Sequence, residues 1–237
     1  IVLTGIHTGA YGKDLGNIKF SNIVEMILEA CPSLHKLRVS SIEANEIDDD
    51  FLRLMLKDKR IARHLHIPLQ SGSDEVLRRM NRHYTTSEFI HKIENIREKV
   101  PNIAITTDVI VGFPGESEKL FNETVAFIKK VNFTQLHVFP YSARTRTPAA
   151  SFKEQVLGPV KKERVRTLIN LSEDLYRSYA QRFVGEKMQV LIETYDDKEE
   201  VYVGHTTNYL AVRVKSDSDI KHEVITIIYD PNISKKI

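Results

Sequence analysis

Polar residues follow three apolar segments of the sequence, each at the point where the segment ends. Gln70 and Ser71 come after segment 65–69, Asp108 and Gly112 lie at the end of 103–111, and Tyr141 follows 133–139. In parallel βα folds the carboxyl ends of the strands gather at one rim, where ligands bind. An amide, a hydroxyl and a carboxylate there predict a site for a small polar ligand. The alternative is that residues 71–74 cap the next helix and that residues 112–116 form an ordinary turn with an acidic residue near a helix start.

The elements that must position these residues alternate between strand and helix signals. Short β-branched runs at 1–3, 37–40, 65–69, 103–111 and 133–139 are separated by segments with helical spacing of apolar residues. This repeat is typical of a buried parallel sheet covered by helices. We predict an α/β fold, a partial βα barrel over 1–183, whose first strand is exposed. A long helix ending near Phe183 closes it.

The pattern changes after that helix. Segments 188–194, 202–204, 209–214 and 224–229 alternate as strands do, and acidic or Ser/Asp turns join them without an intervening helix. We predict a small antiparallel β domain over 184–237.

Charged residues are distributed unevenly between the closing helix region and the predicted β domain. The chain has a net charge of +2, but residues 144–182 hold nine basic and four acidic side chains, whereas residues 184–237 hold seven basic and ten acidic ones. The basic stretch could grip a polyanion or could be an ordinary solvated helix face.

Cysteine content limits the metal chemistry. Cys31 is the one cysteine, and a single cysteine can make no internal disulfide and cannot alone hold an iron–sulfur cluster. No run approaches the roughly 18 apolar residues of a membrane span. We expect a cytoplasmic setting without membrane contact. Because the chain opens at Ile1 on an apolar run, we also expect a piece of a longer protein.

Several segments in order carry a resemblance to a known family. They are residues 3–12 (LTGIHTGAYG), 40–43 (SSIE), 65–73 (LHIPLQSGS), 80–85 (MNRHYT), 107–116 (TDVIVGFPGE) and 137–142 (HVFPYS). The chain resembles the radical SAM methylthiotransferases, and most of all their branch that acts on threonylcarbamoyladenosine in tRNA. Residues 182–186 and 204–209 resemble the TRAM domain of that family.

The resemblance implies a parent enzyme with S-adenosylmethionine (SAM) and two [4Fe-4S] clusters, whose cluster-binding cysteines lie outside this chain. It implies methylthiolation at C2 of N6-threonylcarbamoyladenosine beside the anticodon. The fragment alone is then expected to be inactive. Alternatives are a family member acting on isopentenyladenosine in tRNA or on a ribosomal protein, a non-catalytic RNA-docking module, or an unrelated βα enzyme using a phosphorylated small molecule.

The resemblance also implies roles for individual residues. Those expected at the SAM site are Glu43, Gln70, Ser71, Arg82, Asp108, Gly112, Phe113, Pro114, Tyr141 and Ser142. Those expected to contact tRNA are Arg144, Arg146, Lys187, His205, Asn208, Tyr209, Arg213 and Lys215, with Tyr209 available to stack on a base.

Three further expectations remain. Arg146 stands where the family pattern has glycine, which puts the loop geometry in question or adds a cation toward the RNA. His66 and His137 lie in apolar runs and are predicted to be hydrogen-bonded core histidines, not metal ligands. No obligate protein partner is expected, but the exposed barrel edge could allow self-association.

Overall fold

A computed structural model describes residues 1–12, 14–16 and 18–237. The first part of the chain alternates strands and helices, and the last part consists of strands alone. The strands of the first part are β1 (Val2–Leu3), β2 (Arg38–Val39), β3 (His64–His66), β4 (Ala104–Val111) and β5 (Gln135–Pro140). Its helices are α1 (Phe20–Ala30), α2 (Asp49–Lys57), α3 (Asp74–Arg79), α4 (Thr86–Lys99), α5 (Glu118–Val131) and α6 (Gly158–Gln181).

The strands of the first part run parallel in the order of the sequence. β1 pairs with β2, and β4 lies between β3 and β5. Single parallel bridges, Leu37 to Ile61 and Ser41 to His66, connect the β2 region to the β3 region. The described strands do not close into a ring, so β1 and β5 are edges, and Val2 on β1 is 56% exposed. The predicted partial barrel with an exposed first strand is confirmed.

Helices cover the outer face of this sheet. α4 begins with a reciprocal capping box between Thr85 and Glu88, and α5 is capped by Ser117, whose side chain accepts a hydrogen bond from the backbone N–H of Leu120. Such caps satisfy backbone N–H groups that a first helical turn leaves unpaired. The apolar faces of these helices pack on buried residues of β3 and β4, among them Leu65 and Val109.

The last part of the chain is a five-stranded antiparallel sheet in the order β10-β9-β6-β7-β8. Its strands are β6 (Lys187–Asp196), β7 (Val201–Thr206), β8 (Ala211–Val214), β9 (Val224–Ile228) and β10 (Lys235–Lys236). The antiparallel unit is confirmed; the two-residue strand β10 was not predicted, because so short a segment carries no alternating pattern. The division at residues 183 and 184 stays a prediction.

The end of α6 joins the two parts. Tyr179, Ala180 and Phe183 belong to the apolar cluster of the antiparallel sheet, together with Val190 and Ile227. No helix in the described part of the chain is both long and apolar enough to cross a bilayer.

Candidate functional site

A cavity of about 760 Å³ opens at the carboxyl ends of β3, β4 and β5. Six of the predicted cofactor-site residues line it: Gln70, Arg82, Asp108, Phe113, Tyr141 and Ser142. The loops after three separate strands therefore contribute to one space, as the parallel arrangement predicts.

The backbone after β3 brings Gln70 to this rim. Gln70 has a φ of 66°, and its N–H and C=O bond to the Asp108 carbonyl and the Ile110 N–H, each at 2.9 Å. A left-handed glutamine is uncommon and costs backbone energy. The two bonds to β4 hold it there, beside the Asp108 carboxylate.

Aromatic rings form one wall of the cavity. The Phe113 ring meets the Tyr141 ring edge to face at 5.1 Å and the Phe152 ring at 6.3 Å. The Tyr141 hydroxyl is buried and has no hydrogen-bond partner in the described part of the chain. A buried hydroxyl normally finds a partner, so this oxygen is suited to a polar group of a bound ligand. Aromatic faces beside polar groups suit a ligand that combines a flat ring with polar substituents.

The loop after β4 is built around a buried ion pair. Arg164 Nη1 lies 2.6 Å from Glu116 Oε2, and the same oxygen accepts the Gly112 N–H at 2.5 Å. The side chains of Arg164 and Glu116 are 8% and 0% exposed. Burial raises the pKa of Glu116, against the opposing effect of its hydrogen bond from Gly112 and its pairing with Arg164. The carboxylate of the predicted motif therefore stabilises the loop and does not reach the cavity.

Two predictions on this loop need correction. The structure places the Lys161 side chain against Gly112, where a Cβ would lie 2.2 Å from Lys161 Cγ, so a lysine and not a cofactor makes the close approach. Pro114 is buried and is absent from the cavity lining. Of the predicted apolar pair, only Phe113 faces the cavity.

The prediction that Ser71 lies at the SAM site also needs correction. Its side chain is completely buried, its hydroxyl lies 3.2 Å from the Thr124 hydroxyl of α5, and it accepts the Ser73 N–H at 3.3 Å. The hydroxyl stabilises the turn before α3 and does not line the cavity, and α3 itself begins after Ser73 without a side-chain cap hydrogen bond.

Glu43 lies in a neighbouring pocket, which Tyr84 and Pro68 also line. It approaches the main cavity only through Arg82, whose Nη1 is 3.8 Å from Glu43 Oε1. Arg82 thus faces the cavity with a carboxylate behind it.

Asp108 lies between two imidazoles. His66 Nε2 is 3.2 Å and His137 Nδ1 is 3.5 Å from Asp108 Oδ1, and the two rings stack at 5.2 Å. Burial opposes ionisation of Asp108, but hydrogen bonds from His137 and His66 outweigh it and hold the pKa of the carboxyl well below its usual range. The hydrogen bond to Asp108 in turn raises the pKa of His137, against the effect of burial.

The prediction that His137 is a hydrogen-bonded core histidine is wrong. Its side chain is 46% exposed, and Phe139, two residues along β5, is 50% exposed. The reason is that Phe139 lines the cavity, and side chains two residues apart lie on the same face of a strand, so His137 also lies on the face of β5 that looks into the open barrel. His66 is 14% exposed and its Nδ1 lies 3.0 Å from the Thr106 hydroxyl, which agrees with a hydrogen-bonded interior histidine. Among the described residues, His66, Asp108 and His137 are also the one group spaced closely enough to share a metal ion, and sequence reasoning did not bring them together.

The predicted RNA-contacting residues fall into two sets. Arg144, Arg146, Lys187, Arg213 and Lys215 are exposed, and Arg144 lines the mouth of the cavity. Arg213 is partly neutralised by Glu199 at 3.7 Å.

The residues of the other set make contacts within the chain, so their predicted role in binding RNA is corrected. The Tyr209 ring stacks on His64 at 4.3 Å and on His205 at 4.8 Å, and the Arg38 guanidinium carbon lies 4.9 Å from its centre. These contacts occupy the ring that was predicted to stack on a base. The Arg38 guanidinium also donates to the Thr206 carbonyl at 3.3 Å, so Tyr209 lies in the contact between the parallel and antiparallel sheets.

Asn208 and His205 lie beside it. Asn208 is buried, accepts from the Thr206 hydroxyl at 2.6 Å and donates to the Tyr179 hydroxyl at 3.0 Å. His205 Nδ1 lies 2.9 Å from Glu193 Oε2. Burial lowers the pKa of His64, whose ring stacks on Tyr209, to about 3. The His64 imidazole is therefore neutral at physiological pH.

Comparison with known proteins decides the family. The model of the radical SAM superfamily matches residues 5–128. The chain belongs to the radical SAM superfamily. The matched segment includes β2, β3 and β4, and with them the cavity residues Gln70, Asp108 and Phe113, whereas the cavity residues after β5 lie beyond it.

Similar curated proteins have names that refer to tRNA modification. The chain is 42% identical over 230 residues to "Threonylcarbamoyladenosine tRNA methylthiotransferase MtaB" of Bacillus subtilis, which covers 96% of the chain and 51% of that protein. It is 37% identical over 233 residues to the protein of the same name from Thermotoga maritima, with 92% and 53% covered. It is 34% identical over 228 residues to "tRNA-2-methylthio-N(6)-dimethylallyladenosine synthase" of Caldicellulosiruptor saccharolyticus, with 96% and 48% covered. The chain spans about half the length of the curated relatives it matches.

A solved structure of another radical SAM enzyme has a similar fold. Coproporphyrinogen III oxidase (HemN) of Escherichia coli superposes with a TM-score of 0.55 at 13% identity, covering 82% of the chain and 51% of that structure. At this identity the likeness supports the fold alone.

Proposed function

We propose that the chain is the SAM-binding wall and RNA-facing part of a tRNA methylthiotransferase that acts at C2 of N6-threonylcarbamoyladenosine beside the anticodon. The observation that carries the proposal is the single cavity formed by the loops after β3, β4 and β5. The first two of these loops lie within the part matched to the radical SAM superfamily. The substrate comes from the names of the B. subtilis and T. maritima relatives.

Residues at the cavity fit SAM by their chemistry. Phe113 and Tyr141 offer an aromatic wall for adenine, Gln70 and Asp108 offer polar atoms to ribose or amino groups, and Arg82 offers a cation to the carboxylate. When bound with a reduced iron–sulfur cluster, SAM supplies a 5'-deoxyadenosyl radical that abstracts hydrogen from unreactive carbon. The role of these side chains is to orient SAM and to exclude water.

The iron–sulfur clusters do not fit this chain. Cys31 is its single cysteine, it follows α1, and its carbonyl accepts a hydrogen bond from Arg60 at 3.1 Å. We place the ligands of two [4Fe-4S] clusters in the rest of a longer, cytoplasmic protein, and we expect the 237-residue chain alone to have no methylthiotransferase activity. The boundary between a barrel segment 1–183 and a TRAM-like segment 184–237 belongs to the same proposal.

The intact protein provides the test. Anaerobic reconstitution with iron and sulfide should allow SAM cleavage and give 2-methylthio-N6-threonylcarbamoyladenosine in tRNA, measured by mass spectrometry of nucleosides. Dimethylallyladenosine tRNA serves as the competing substrate. Full cluster content with no methylthio product on threonylcarbamoyladenosine would reject the assigned substrate, and product on dimethylallyladenosine alone would assign the chain to that second function.

Self-association of the chain through the edge strand β1 is a separate matter. The exposed strand β1 is an unpaired edge, which would allow the 237-residue chain to self-associate through this edge. Sedimentation velocity of the chain should then show a species larger than the monomer, and a monomer at all concentrations would contradict it.

A further inference from the structure

Two arginine side chains on the loop at the mouth of the cavity have no partner among the residues that the structure describes. Arg144 lines the cavity, and Arg146 lies two residues further along the same exposed loop. Within the described part of the chain, neither guanidinium makes a hydrogen bond, an ion pair or a contact with an aromatic ring. By contrast, Arg164 and Arg79 are paired with carboxylates at 2.6 Å. The loop therefore presents two uncompensated positive charges beside an aromatic-walled cavity.

The loop holds Arg146 in a conformation that arginine rarely adopts. The Thr147 N–H and hydroxyl both bond to the Arg144 carbonyl, at 3.2 Å and 2.7 Å, and close a four-residue turn. Arg146 is the third residue of this turn and has a φ of 73°. That position and sign are those of a type II turn, in which glycine or asparagine is favoured. A left-handed arginine costs about 1–2 kcal/mol of backbone energy.

Costly backbone conformations of this kind cluster at binding sites. The turn adjoins a cavity whose lining also includes Phe139, which is 50% exposed and is separate from the Phe113 and Tyr141 rings assigned to SAM. Aromatic walls favour a flat ring, and guanidinium groups at the mouth favour an anionic substituent on that ring. The combination suits a modified base that carries a carboxylate outside its ring system.

Resting on the proposed function, we infer that Arg146, assisted by Arg144, binds the carboxylate of the threonylcarbamoyl group and so distinguishes this substrate from dimethylallyladenosine. The threonylcarbamoyl group carries a free carboxylate, whereas a dimethylallyl group is uncharged and offers nothing to a guanidinium. A backbone phosphate of the RNA has the same charge and is the other source of an anion for this pair.

The test compares three anticodon stem-loop RNAs on the intact, reconstituted protein. One carries threonylcarbamoyladenosine, the second carries its methyl ester, which removes the charge and keeps the shape, and the third carries adenosine. Arg146→Gly removes the cation and relieves the positive φ, so the variant should fold at least as well as the parent. Arg146→Lys keeps the charge, and Arg53→Gln removes another exposed arginine, from α2.

We expect the parent to bind the acid about 10- to 100-fold more tightly than the ester, the range of one charge-assisted contact. Arg146→Gly should abolish this preference and leave affinity for the ester and for adenosine unchanged. Arg146→Lys should retain part of the preference, and Arg53→Gln all of it. Equal weakening of all three RNAs would assign Arg146 to a phosphate and overturn the inference, as would a parent without preference for the acid.

Failure of the proposed function gives a different result. If the parent protein methylthiolates dimethylallyladenosine and not threonylcarbamoyladenosine, the proposed function fails. If it methylthiolates threonylcarbamoyladenosine and Arg146→Gly does so with unchanged kcat/KM, only the inference about Arg146 fails.

Discussion

Arg164 of α6 and Glu116 of the loop after β4 form a buried ion pair, with Arg164 Nη1 also 2.9 Å from the Glu116 carbonyl oxygen. The pair fastens α6 to the loop that carries Phe113. Removing one partner from a buried pair leaves an uncompensated charge, which costs about 3–5 kcal/mol.

We therefore expect Arg164→Met to lower the free energy of unfolding by about 3–5 kcal/mol, measured by urea denaturation. Arg166→Met, at an exposed position of α6, should change it by less than about 0.5 kcal/mol. The double variant Arg164→Met/Glu116→Gln should recover part of the loss, because the stranded carboxylate is gone. A single variant as stable as the parent would show that the pair does not hold the loop.

Gly112 and Gly158 offer a matched pair of glycine positions. Gly112 has a φ of 72° and an added Cβ would contact Lys161, whereas Gly158 at the start of α6 has no atom within 4 Å of such a Cβ. Lys161 Nζ donates to the Tyr141 carbonyl at 3.0 Å, so moving Lys161 also disturbs the aromatic wall.

Gly112→Ala should thus lower the free energy of unfolding by about 1–3 kcal/mol and weaken SAM binding by the reconstituted protein. Gly158→Ala should leave SAM binding unchanged and be neutral or slightly stabilising, because alanine favours helix. Thermal unfolding and isothermal titration calorimetry check the two effects. Equal behaviour of the two variants would refute the role given to Gly112.

The sequence predicts the fold well because the apolar runs and their spacing determine the parallel strands. The gathering of Gln70, Asp108 and Tyr141 at one cavity follows from that topology alone. The sequence does not predict which polar groups already have hydrogen-bond partners within the chain. The partner of Ser71 is Thr124, 53 residues away on α5, and no local pattern indicates such a bond.

The exposure of His137 has a different origin. Its apolar neighbours on β5 are typical of a buried strand, and the sequence does not show that this face of β5 looks into the open barrel. Arg146 illustrates the opposite case, because an arginine in a position suited to glycine was visible in the sequence and the structure gives it a φ of 73°.

The Asp108–His137 pair predicts a specific pH dependence. The pKa of His137 is raised above its ordinary value of 6.5, so its stabilising contribution is complete below that pH and is lost as the pH rises through the folded pKa. The pKa of Asp108 is lowered from 3.8, so its contribution is present above that value and is lost as the pH falls through the folded pKa. The pair is therefore most stabilising between about pH 4 and 6.5.

Asp108→Asn should lower the pKa of His137 toward 6.5, as followed by NMR titration of its ring protons. The difference in unfolding free energy between parent and variant should be largest within this pH window and should shrink above it. Asp174→Asn removes an exposed carboxylate on α6 and serves as the control, leaving the His137 titration unchanged. An unaltered His137 titration in Asp108→Asn would contradict the pairing.

Tyr209 supplies the last prediction, because its stacked position makes it a structural contact between the two sheets and not an RNA contact. Truncation should remove the ring contacts with His64 and His205 and the cation contact with Arg38. Tyr209→Ala should lower the free energy of unfolding by about 2–4 kcal/mol, typical of losing a largely packed aromatic ring. Tyr209→Phe keeps the ring and should cost much less.

RNA affinity separates this role from base stacking. Under conditions in which Tyr209→Ala remains folded, its affinity for anticodon stem-loop RNA should match that of the parent within about twofold, whereas loss of a stacked base costs about 1–3 kcal/mol of binding energy. Fluorescence anisotropy measures the affinity and circular dichroism checks the fold. A variant with parental stability and at least tenfold weaker RNA binding would restore the stacking role, because the ring would then act on the RNA and not on the contact between the sheets.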